Sequence, residues 1–538
     1  MSASASVPGR LSIVSGPPLD AISWHRRAGR VDELCRLAAH QAGSRCAIRS
    51  PAADLSYAEL DTLVSRCASG LTALTGSSAA VVGVAAVLDP AFAIAYYGVA
   101  RSGNVSAIVN PFLKADGLAH VLRTSEAEVA IVTPELLRTL LPLRGQLPRL
   151  RHLVLITTDR TAGAAGAPVL ADLAARNLDG PGRGGSPEDL ACILFTSGTT
   201  GAPKAVPLTH QNLIVNAAQM IHAHGIGGTS VMLNYLPTFH LMHLNAATTA
   251  TATQVLYHGD DVAGSIRVAN QQQVTHFHSM PMRLSRLAAD PHLDELALRT
   301  TRALFSGGSA LPPQKAARLS RHFGIPVVQG YGLAEASPLT HLDPMSAPRP
   351  GSCGLPVAGT ECRVVDVDTR EVVPIGVNGE IEVRGPQVMT GYLAQEHTQE
   401  IADGWFSTGD VGHIDADGYL FIADRLKDVF KCDNYLVSPT EIESILRQHP
   451  SIADCVVVDY PDEFSGAVAY GLAVLRGEAD TAEVVRFVNA KVPHYMQLRR
   501  LLPVPEIPRS HNGKIQRREL RASLREMLTG EEPAGVVG

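Results

Sequence analysis

The chain has 538 residues, of which 45% are hydrophobic and 18% are charged, and its formal net charge at pH 7 is −6. This length exceeds a single hydrophobic core, so we expect two or more domains. The acidic balance, without any prominent basic run, argues against nucleic acid as a main partner. The eight cysteines form no C-x-x-C pair and no metal-ligand spacing, which predicts a reduced, cytoplasmic chain.

Short Val/Ile/Leu strands alternate with Ala-rich amphipathic helices through the first two thirds of the chain, which predicts α/β layers. The most apolar stretch, residues 79–100, is interrupted by Asp89-Pro90 and predicts a strand and a helix rather than a membrane span. The clearest strands are predicted at residues 81–87, 129–132, 153–156 and 327–328. A helix is predicted to start at Thr209.

From about Cys353 the predicted strands become short and are separated by glycines, as at residues 379–383, which indicates a small β-rich subdomain. Beyond a boundary near residues 424–428, Ser438-Pro439-Thr440-Glu441 predicts a capping box at the start of a helix. We therefore predict an α/β fold class. The predicted parts are a large N-terminal domain of layered α/β and β-rich subdomains at 1–426, a small α+β C-terminal domain at 427–528 and a flexible tail at 529–538.

The most informative segment is the loop at residues 195–206, which concentrates hydroxyls, glycines and Lys204 after the apolar run 191–195. Glycines let a backbone approach a polyphosphate closely, while hydroxyls and N–H groups donate and a lysine adds a point charge. The pattern G-x-x-x-x-G-K-[ST] is not matched around Lys204, so this is not the usual P-loop. The alternative is an ordinary surface turn.

Other local patterns exclude several site types. The segment 329–335 lacks the third glycine of a dinucleotide fingerprint, and G-x-S-x-G is absent, which removes the main support for an α/β-hydrolase. The spacing of His240 and His243 allows both side chains to lie on the same face of a helix. No H-E-x-x-H pattern or third ligand accompanies them, so a metal site is disfavoured. The pairs His222/His224 and His276/His278 are interpreted as core or surface histidines.

Five segments, at residues 195–206, 329–335, 403–410, 424–428 and 508–515, together resemble the signatures of the adenylate-forming superfamily, in the same order. This superfamily includes acyl-CoA synthetases, coumarate-CoA ligases, beetle luciferases and peptide-synthetase adenylation domains. The resemblance spans about Leu55 to Leu520. It implies ATP-dependent activation of a small-molecule carboxylic acid to an acyl-AMP, release of pyrophosphate and transfer of the acyl group to CoA. Loading of an acyl carrier protein and a non-catalytic nucleotide-binding relative remain open alternatives, and a luciferase-like oxygenase is a more distant one.

The resemblance also implies roles for individual residues. It assigns ATP binding to Thr196, Ser197, Gly198, Thr199, Thr200, Lys204, Gly308, Ser309, Gln329, Gly330, Tyr331, Gly332, Ala334, Asp410 and Arg425. Within this set, Tyr331 would stack on adenine, and Asp410 and Arg425 would reach the ribose. Glu335 would be the Mg²⁺ ligand, since Mg²⁺ needs few protein oxygens when substrate phosphates complete its shell.

Catalytic roles follow from the same resemblance. Lys514 would bridge the attacking carboxylate and the phosphate, where it offsets repulsion between two anions. His240 would gate the carboxylate, and Lys431 would lie near the acyl phosphate. Lys427 would be the hinge about which a mobile C-terminal domain swings.

This chain departs from the family pattern at two positions. Ala334 stands where a threonine usually meets the AMP phosphate, which predicts an adenylation weakened by about 1 kcal/mol. Asn434 stands where a glycine usually borders the pantetheine channel, which predicts a narrower thiol path. No aspartate lies between Asn234 and Asn245, so an α-amino acid is disfavoured as the substrate.

Overall fold

A computed structural model of the protein describes most of the chain. The described residues are 10–23, 28–51, 54–76, 79–156, 168–173, 185–196, 203–393, 400–433, 435–508, 515 and 517–529. The chain divides into two compact units. The first unit comprises Val14–Cys362 and Val383–Phe406, and the second comprises Met1–Ile13, Arg363–Glu382 and Ser407–Gly538. The predicted domain limit at residue 426 stays a prediction.

The secondary structure of the described residues consists of strands and helices that alternate through most of the first unit. The strands are β1 (Ile13–Ser15), β2 (Cys46–Arg49), β3 (Asp54–Ser56), β4 (Val81–Ala85), β5 (Val105–Val109), β6 (Val129–Val132), β7 (His152–Leu155), β8 (Leu190–Phe195), β9 (Ala205–Thr209), β10 (Val231–Tyr235), β11 (Thr253–Leu256), β12 (His276–Ser279), β13 (Ala303–Ser306), β14 (Val327–Gly332), β15 (Leu339–Leu342), β16 (Leu355–Pro356), β17 (Glu361–Val365), β18 (Gly379–Arg384), β19 (Ile401–Ala402), β20 (Trp405–Ile414), β21 (Leu420–Arg425), β22 (Phe430–Cys432), β23 (Tyr435–Val437), β24 (Ile452–Asp462), β25 (Gly466–Leu475) and β26 (Leu498–Pro503). The helices are α1 (Val31–Ala42), α2 (Tyr57–Thr75), α3 (Pro90–Arg101), α4 (Ala115–Thr124), α5 (Pro134–Leu140), α6 (Leu170–Leu173), α7 (His210–His224), α8 (Leu241–Ala250), α9 (Val262–Gln271), α10 (Pro281–Ala289), α11 (Pro313–Phe323), α12 (Pro439–Leu446), α13 (Thr481–Asn489) and α14 (Arg517–Thr529).

Two sheets form the core of the first unit. One has nine strands in the order β16-β15-β14-β13-β12-β10-β11-β2-β3, and the other has six in the order β7-β6-β4-β5-β8-β9. Strand β6 is buried along its whole length and pairs in parallel with β4 and β7. Continuous apolar strands of this kind occur where helices cover both faces of a parallel sheet. The predicted α/β fold class is therefore confirmed.

The parallel strands β10, β12, β13 and β14 end at one edge of the nine-stranded sheet. Tyr235 pairs with Ser279, Ser279 pairs with Ser306, and Ser306 pairs with Gln329. The carboxyl ends of parallel strands are the usual ligand crevice of open α/β sheets. This edge therefore places the segments that follow β10, β13 and β14 beside one another.

The second unit contains a five-stranded sheet in the order β23-β22-β25-β24, with β26 paired to β25. A further six-stranded sheet has the order β1-β17-β18-β20-β19, with β21 paired to β20. At the start of α12 the Ser438 hydroxyl accepts from Glu441 N at 3.3 Å, as predicted. Glu441 does not complete the predicted capping box with its carboxylate, which accepts from Asn378 Nδ2 at 3.0 Å.

The other predicted elements agree closely with the structure. Thr209 is the N-cap of α7, and its hydroxyl accepts from Asn212 N. The predicted strand at 129–132 has the bounds of β6. The strand predicted at 81–87 corresponds to β4, which ends at Ala85, two residues before the predicted end. Helix α14 extends to Thr529, and the rest of the predicted tail lies outside the described residues. No helix in the described part of the chain is long and apolar enough to span a membrane.

Candidate functional site

The base of the predicted phosphate loop is a hairpin made by β8 and β9. Phe195 pairs with Ala205, Thr196 N donates to the Lys204 carbonyl at 3.0 Å, and Lys204 N donates to Thr196 Oγ1 at 3.0 Å. These bonds place Lys204 where the loop returns to the sheet. The predicted ligands Ser197, Gly198, Thr199 and Thr200 lie outside the described residues.

The Lys204 side chain contacts an aromatic ring and a carboxylate. Its Nζ lies 4.4 Å from the centroid of Tyr392 and forms an ion pair with Glu400. The side chains of Lys204 and Glu400 are 42% and 32% exposed, so water and salt screen this pair and it stabilises the protein only weakly. The predicted phosphate ligand Lys204 is therefore held by a carboxylate that it can exchange for another anion at little cost.

The predicted metal ligand Glu335 contacts the hydroxyl of the same tyrosine. It belongs to a short 3₁₀ helix, Ala334–Ala336, and is buried. The Tyr392 hydroxyl donates to Glu335 Oε1 at 2.7 Å, and Met389 N donates to the Glu335 carbonyl at 2.7 Å. Burial and the nearby Glu335 carboxylate raise the pKa of Tyr392, so the hydroxyl keeps its proton. Tyr392 thus connects the predicted phosphate lysine to the predicted metal ligand.

The predicted adenine segment forms the end of β14. Gln329 Oε1 accepts from Leu311 N at 2.9 Å, which connects this strand to the loop that follows β13. Tyr331 is buried, and its carbonyl accepts from Thr340 Oγ1 at 3.1 Å. A Cβ at Gly332 would lie 2.2 Å from the Pro338 carbonyl oxygen, so only glycine fits there.

The other residues predicted to bind the nucleotide in this region lie near the adenine segment or in the loop after β13. Gly308 has φ of 92°, a conformation that favours glycine, and both Gly308 and Ser309 are exposed. Gly330 lies one residue before Tyr331 and is half-buried. Ala334 begins the short helix that carries Glu335. The nucleotide-binding roles of these residues stay predictions.

The predicted ribose ligands are cross-strand partners in the second unit. Asp410 pairs with Arg425 in the register of β20 and β21, and Arg425 Nε lies 2.8 Å from Asp410 Oδ1. Asp410 is buried, whereas the Arg425 side chain is 58% exposed. The predicted hinge residue Lys427 is exposed in the turn after β21, and Lys431 forms an ion pair with Asp368. Lys514 and Asn434 lie outside the described residues.

A cluster of histidine rings lies between the nine-stranded sheet and helices α7 and α8. His240 is the N-cap of α8 and is exposed, and its ring centroid lies 5.5 Å from that of His243. His243 lies 4.5 Å from His278, and His278 lies 5.4 Å from His224. The ring of Phe305 stacks against His224 at 4.3 Å and against His278 at 4.9 Å. We call His224, His240, His243, His276 and His278 the histidine cluster.

The cluster is only partly hydrogen-bonded. His276 Nε2 donates to the His224 carbonyl at 3.0 Å, and His278 Nε2 lies 3.3 Å from His224 Nδ1. Within the described residues, no hydrogen-bond partner is present for Nε2 of His224, Nδ1 of His243 or Nδ1 of His278. Burial, followed by the neighbouring histidines, lowers the pKa of each of these three imidazoles well below its ordinary value. They are therefore neutral at physiological pH.

Comparisons with known proteins identify the family of this chain. The AMP-binding enzyme family model matches residues 35–393, and the model of the AMP-binding enzyme C-terminal domain matches residues 441–514. The chain belongs to the AMP-binding enzyme family. The predicted membership of the adenylate-forming superfamily is confirmed.

Similar proteins cover nearly the whole chain. 4-Coumarate–CoA ligase 3 of Arabidopsis thaliana is 33% identical over 493 residues, which is 87% of this chain and 86% of the relative. 4-Coumarate–CoA ligase 2 of Oryza sativa subsp. japonica is 32% identical over 547 residues, which is 96% of this chain and 94% of the relative. The ATP-bound structure of MatB from Rhodopseudomonas palustris is 25% identical with a TM-score of 0.80, and the match covers 93% of this chain and 99% of MatB.

Sequence reasoning missed two side chains that contact predicted site residues. Tyr392 is 57 residues from Glu335 along the chain, and Glu400 is 196 residues from Lys204. No local pattern connects either residue to its partner, because both contacts exist only once the chain is folded. The proximity of the histidine pairs was likewise not predicted, although both pairs were identified.

The Lys204–Glu400 pair predicts an effect on ATP affinity. In Glu400→Gln the phosphates no longer compete with a carboxylate for Lys204, so KM for ATP should fall by about two- to threefold, the range of an exposed ion pair. kcat should be unchanged, and the effect should shrink at high salt. Steady-state assays at varied ATP test this, with Glu135→Gln on α5, paired to Arg138, as the control. A rise in KM would instead make Glu400 part of the nucleotide site.

The buried histidines predict acid sensitivity. Their folded-state pKa lies below the unfolded value near 6.5, so below that pH the unfolded chain takes up protons that the folded chain does not. The stability that these neutral imidazoles contribute is therefore fully present above pH 6.5 and is lost progressively as the pH falls below that value. Melting at pH 7.5 and 5.5 measures this loss. His243→Phe should reduce the pH dependence, the exposed His222→Asn should not, and equal slopes for the two variants would contradict the prediction.

Proposed function

We propose that this chain is an ATP-dependent acid–CoA ligase that activates a carboxylic acid as its acyl-AMP and then transfers the acyl group to CoA. The observation that carries the proposal is the arrangement around Tyr392, which places a lysine and a buried carboxylate on one aromatic ring. A magnesium polyphosphate needs both a cation for its oxygens and a hard oxygen ligand for its metal. The reaction class is that of the 4-coumarate–CoA ligases to which the chain is similar.

In the first half-reaction a carboxylate oxygen attacks the α-phosphorus of ATP. The bond from that phosphorus to the bridging oxygen breaks, and pyrophosphate leaves with the electron pair. Lys204 attracts the departing phosphates, and Lys514 offsets the repulsion between the attacking carboxylate and the phosphate. Asp410 accepts hydrogen bonds from ribose hydroxyls, and Arg425, which forms an ion pair with Asp410, also reaches the ribose.

Glu335 is the residue that would hold a Mg²⁺ ion accompanying the nucleotide. Within the described residues, no group of three or more His, Cys, Asp or Glu side chains is arranged to hold a metal ion. Glu335 alone fits Mg²⁺ that arrives with ATP, because Mg²⁺ keeps waters and takes one or two carboxylates together with substrate phosphates. Bound there, it would neutralise charge on the phosphates.

In the second half-reaction a thiolate attacks the acyl carbon of the mixed anhydride. The bond from that carbon to the phosphate oxygen breaks, and AMP leaves. CoA is the proposed thiol, and the phosphopantetheine arm of a carrier protein is the second candidate. Asn434, which replaces a family glycine at the pantetheine channel, would narrow the path for either thiol. We retain Lys427, exposed in a turn, as the proposed pivot between the two half-reactions.

Exchange of labelled pyrophosphate into ATP tests the first half-reaction. The assay is run with aliphatic, aryl and dicarboxylic acids, and we expect exchange that depends on the acid and on Mg²⁺. ATP binding without exchange for any acid would favour the non-catalytic alternative, which Ala334 and Asn434 motivate. Enzyme carrying acyl-AMP is then mixed with CoA or with a phosphopantetheinylated carrier. If neither thiol gives a thioester product, the transfer step is excluded.

A further inference from the structure

One side chain of helix α4 contacts both strands at the base of the predicted phosphate loop. The Nε2 atom of His120 lies 2.8 Å from the carbonyl oxygen of Pro203, two residues before β9. The His120 ring also lies edge-on to Phe195, the last residue of β8, with 6.5 Å between the ring centroids. A carbonyl oxygen only accepts, so His120 Nε2 carries a proton and donates the hydrogen bond. His120 thus connects α4 to the points where the chain leaves β8 and returns to β9.

Helix α4 is a fixed support for this contact. Its apolar side chains Leu118, Val121 and Leu122 are buried in the hydrophobic core that α4 shares with β6 and α5. The helix follows β5 along the chain, and β5 is the parallel neighbour of β8. The carboxyl ends of these two strands lie at one edge of the sheet, so the segment that leads into α4 starts beside the loop. The backbone of His120 is therefore positioned by the core and not by the loop.

The hairpin of β8 and β9 is held to other segments as well as within itself. The bonds between its two strands keep them together but do not fix its direction relative to the rest of the first unit. Contacts with other segments do so: Leu393 N donates to the Ala205 carbonyl at 2.9 Å, and His120 donates to Pro203. Proline has no N–H, so Pro203 enters backbone hydrogen bonds through its carbonyl alone. The His120 bond therefore acts on the residue directly before Lys204.

We propose that His120 is a positioning residue for ATP binding, which holds the backbone at Pro203 so that Lys204 meets the phosphates in one orientation. This inference rests on the proposed function and adds a residue that acts through Lys204 rather than on the nucleotide. A loop whose base is already fixed loses less conformational freedom when a polyphosphate binds. The contact between His120 and Pro203 therefore raises the affinity for ATP.

Two substitutions separate the hydrogen bond from the packing of the ring. His120→Phe keeps a flat ring against Phe195 but has no N–H group. His120→Gln loses the ring and keeps an amide N–H group that can donate to the Pro203 carbonyl. In acid-dependent pyrophosphate exchange by the full chain, His120→Phe should raise KM for ATP by about fivefold, the effect of one hydrogen bond, without changing KM for the acid.

The order of the two variants decides between the roles. His120→Gln should have a KM for ATP within about twofold of the wild type, because it restores the bond. A raised KM in His120→Gln together with an unchanged KM in His120→Phe would make ring packing the function of His120 and overturn the proposal. An unchanged KM for ATP in both variants would also overturn it.

His322 offers a matched control in the first unit. It is half-buried like His120, its Nε2 lies 2.8 Å from the Leu296 carbonyl oxygen, and its ring is edge-on to Phe323. His322→Phe thus removes an equivalent bond on α11, which contacts β14 of the nine-stranded sheet. Both phenylalanine variants should lower the melting temperature, and only His120→Phe should raise KM for ATP. An equal rise in both would assign the effect to a general loss of stability and overturn the proposal.

A double-mutant cycle tests whether His120 acts through Lys204. The affinity for ATP with Mg²⁺ is measured by calorimetry, so this test does not depend on catalysis. His120→Phe should weaken ATP binding about fivefold in the wild-type chain and by less than about twofold in Lys204→Ala, where the positioned group is absent. The same fivefold loss in both backgrounds would overturn the proposal. If no acid supports exchange, the proposed function fails, while this cycle still tests His120.

Discussion

Lys514→Ala should reduce acid-dependent pyrophosphate exchange by about 10²- to 10³-fold and leave the affinity for ATP nearly unchanged. The carboxylate and the α-phosphate are both anions, and the charge on the bridging oxygens grows as they approach. A lysine that contacts both stabilises the transition state more than the ground state, so its loss lowers kcat rather than raising KM for ATP. The assigned role comes from the segment 508–515, in which the lysine follows Asn512-Gly513.

The control for Lys514→Ala is a lysine in the C-terminal part of the chain that has no proposed role in catalysis. Lys491 is exposed, lies 3.7 Å above the ring of Phe487, and should be replaced by alanine with little effect on either parameter. Single-turnover formation of acyl-AMP and equilibrium binding of ATP are measured for both variants. An equal loss of ATP affinity and rate in Lys514→Ala would make the lysine a ground-state anchor for the nucleotide.

The sequence was most informative where residues with related chemistry are contiguous. The loop 195–206 and the segment 329–335 each concentrate several polar groups that are predicted to bind one ligand, and the described residues of both lie at strand ends of the first unit. Asp410 and Arg425 came from separate motifs, and the structure pairs them across β20 and β21; their assignment to the ribose stays a prediction. Local patterns were also sufficient for most strands, because burial on both faces produces continuous apolar runs.

The sequence was least informative where contacts join distant segments. The predicted capping box at α12 is incomplete because Asn378, 63 residues earlier, binds the carboxylate of Glu441. The histidine pairs were identified, yet their proximity depends on how α7 and α8 pack on the sheet. A single buried histidine is usually a satisfied core residue. Within the described residues this cluster has three unpartnered imidazole nitrogens, and only the folded chain reveals them.

The second large effect is expected for Glu335→Gln. The glutamine keeps an oxygen that accepts from the Tyr392 hydroxyl, so the packing around the short helix should persist. The variant loses the negative charge that a hard cation requires. Mutation of groups that merely orient a metal ligand costs 10- to 100-fold, so loss of the ligand charge itself should reduce exchange by about a hundredfold or more. The Mg²⁺ concentration needed for half-maximal activity should rise in parallel.

Tyr392→Phe is the matched control, because it removes the hydroxyl and leaves the carboxylate. The loss of one hydrogen bond to a charged group, of about 1.5–3 kcal/mol, is partly offset when Mg²⁺ or water takes that oxygen, so the rate should fall by less than about tenfold. Titration of both variants with Mg²⁺ at saturating ATP separates the roles. If Tyr392→Phe lost as much activity as Glu335→Gln, the hydrogen bond rather than the metal would be the function of Glu335. If neither variant changed the Mg²⁺ dependence, the metal ligand would have to be sought elsewhere in the chain.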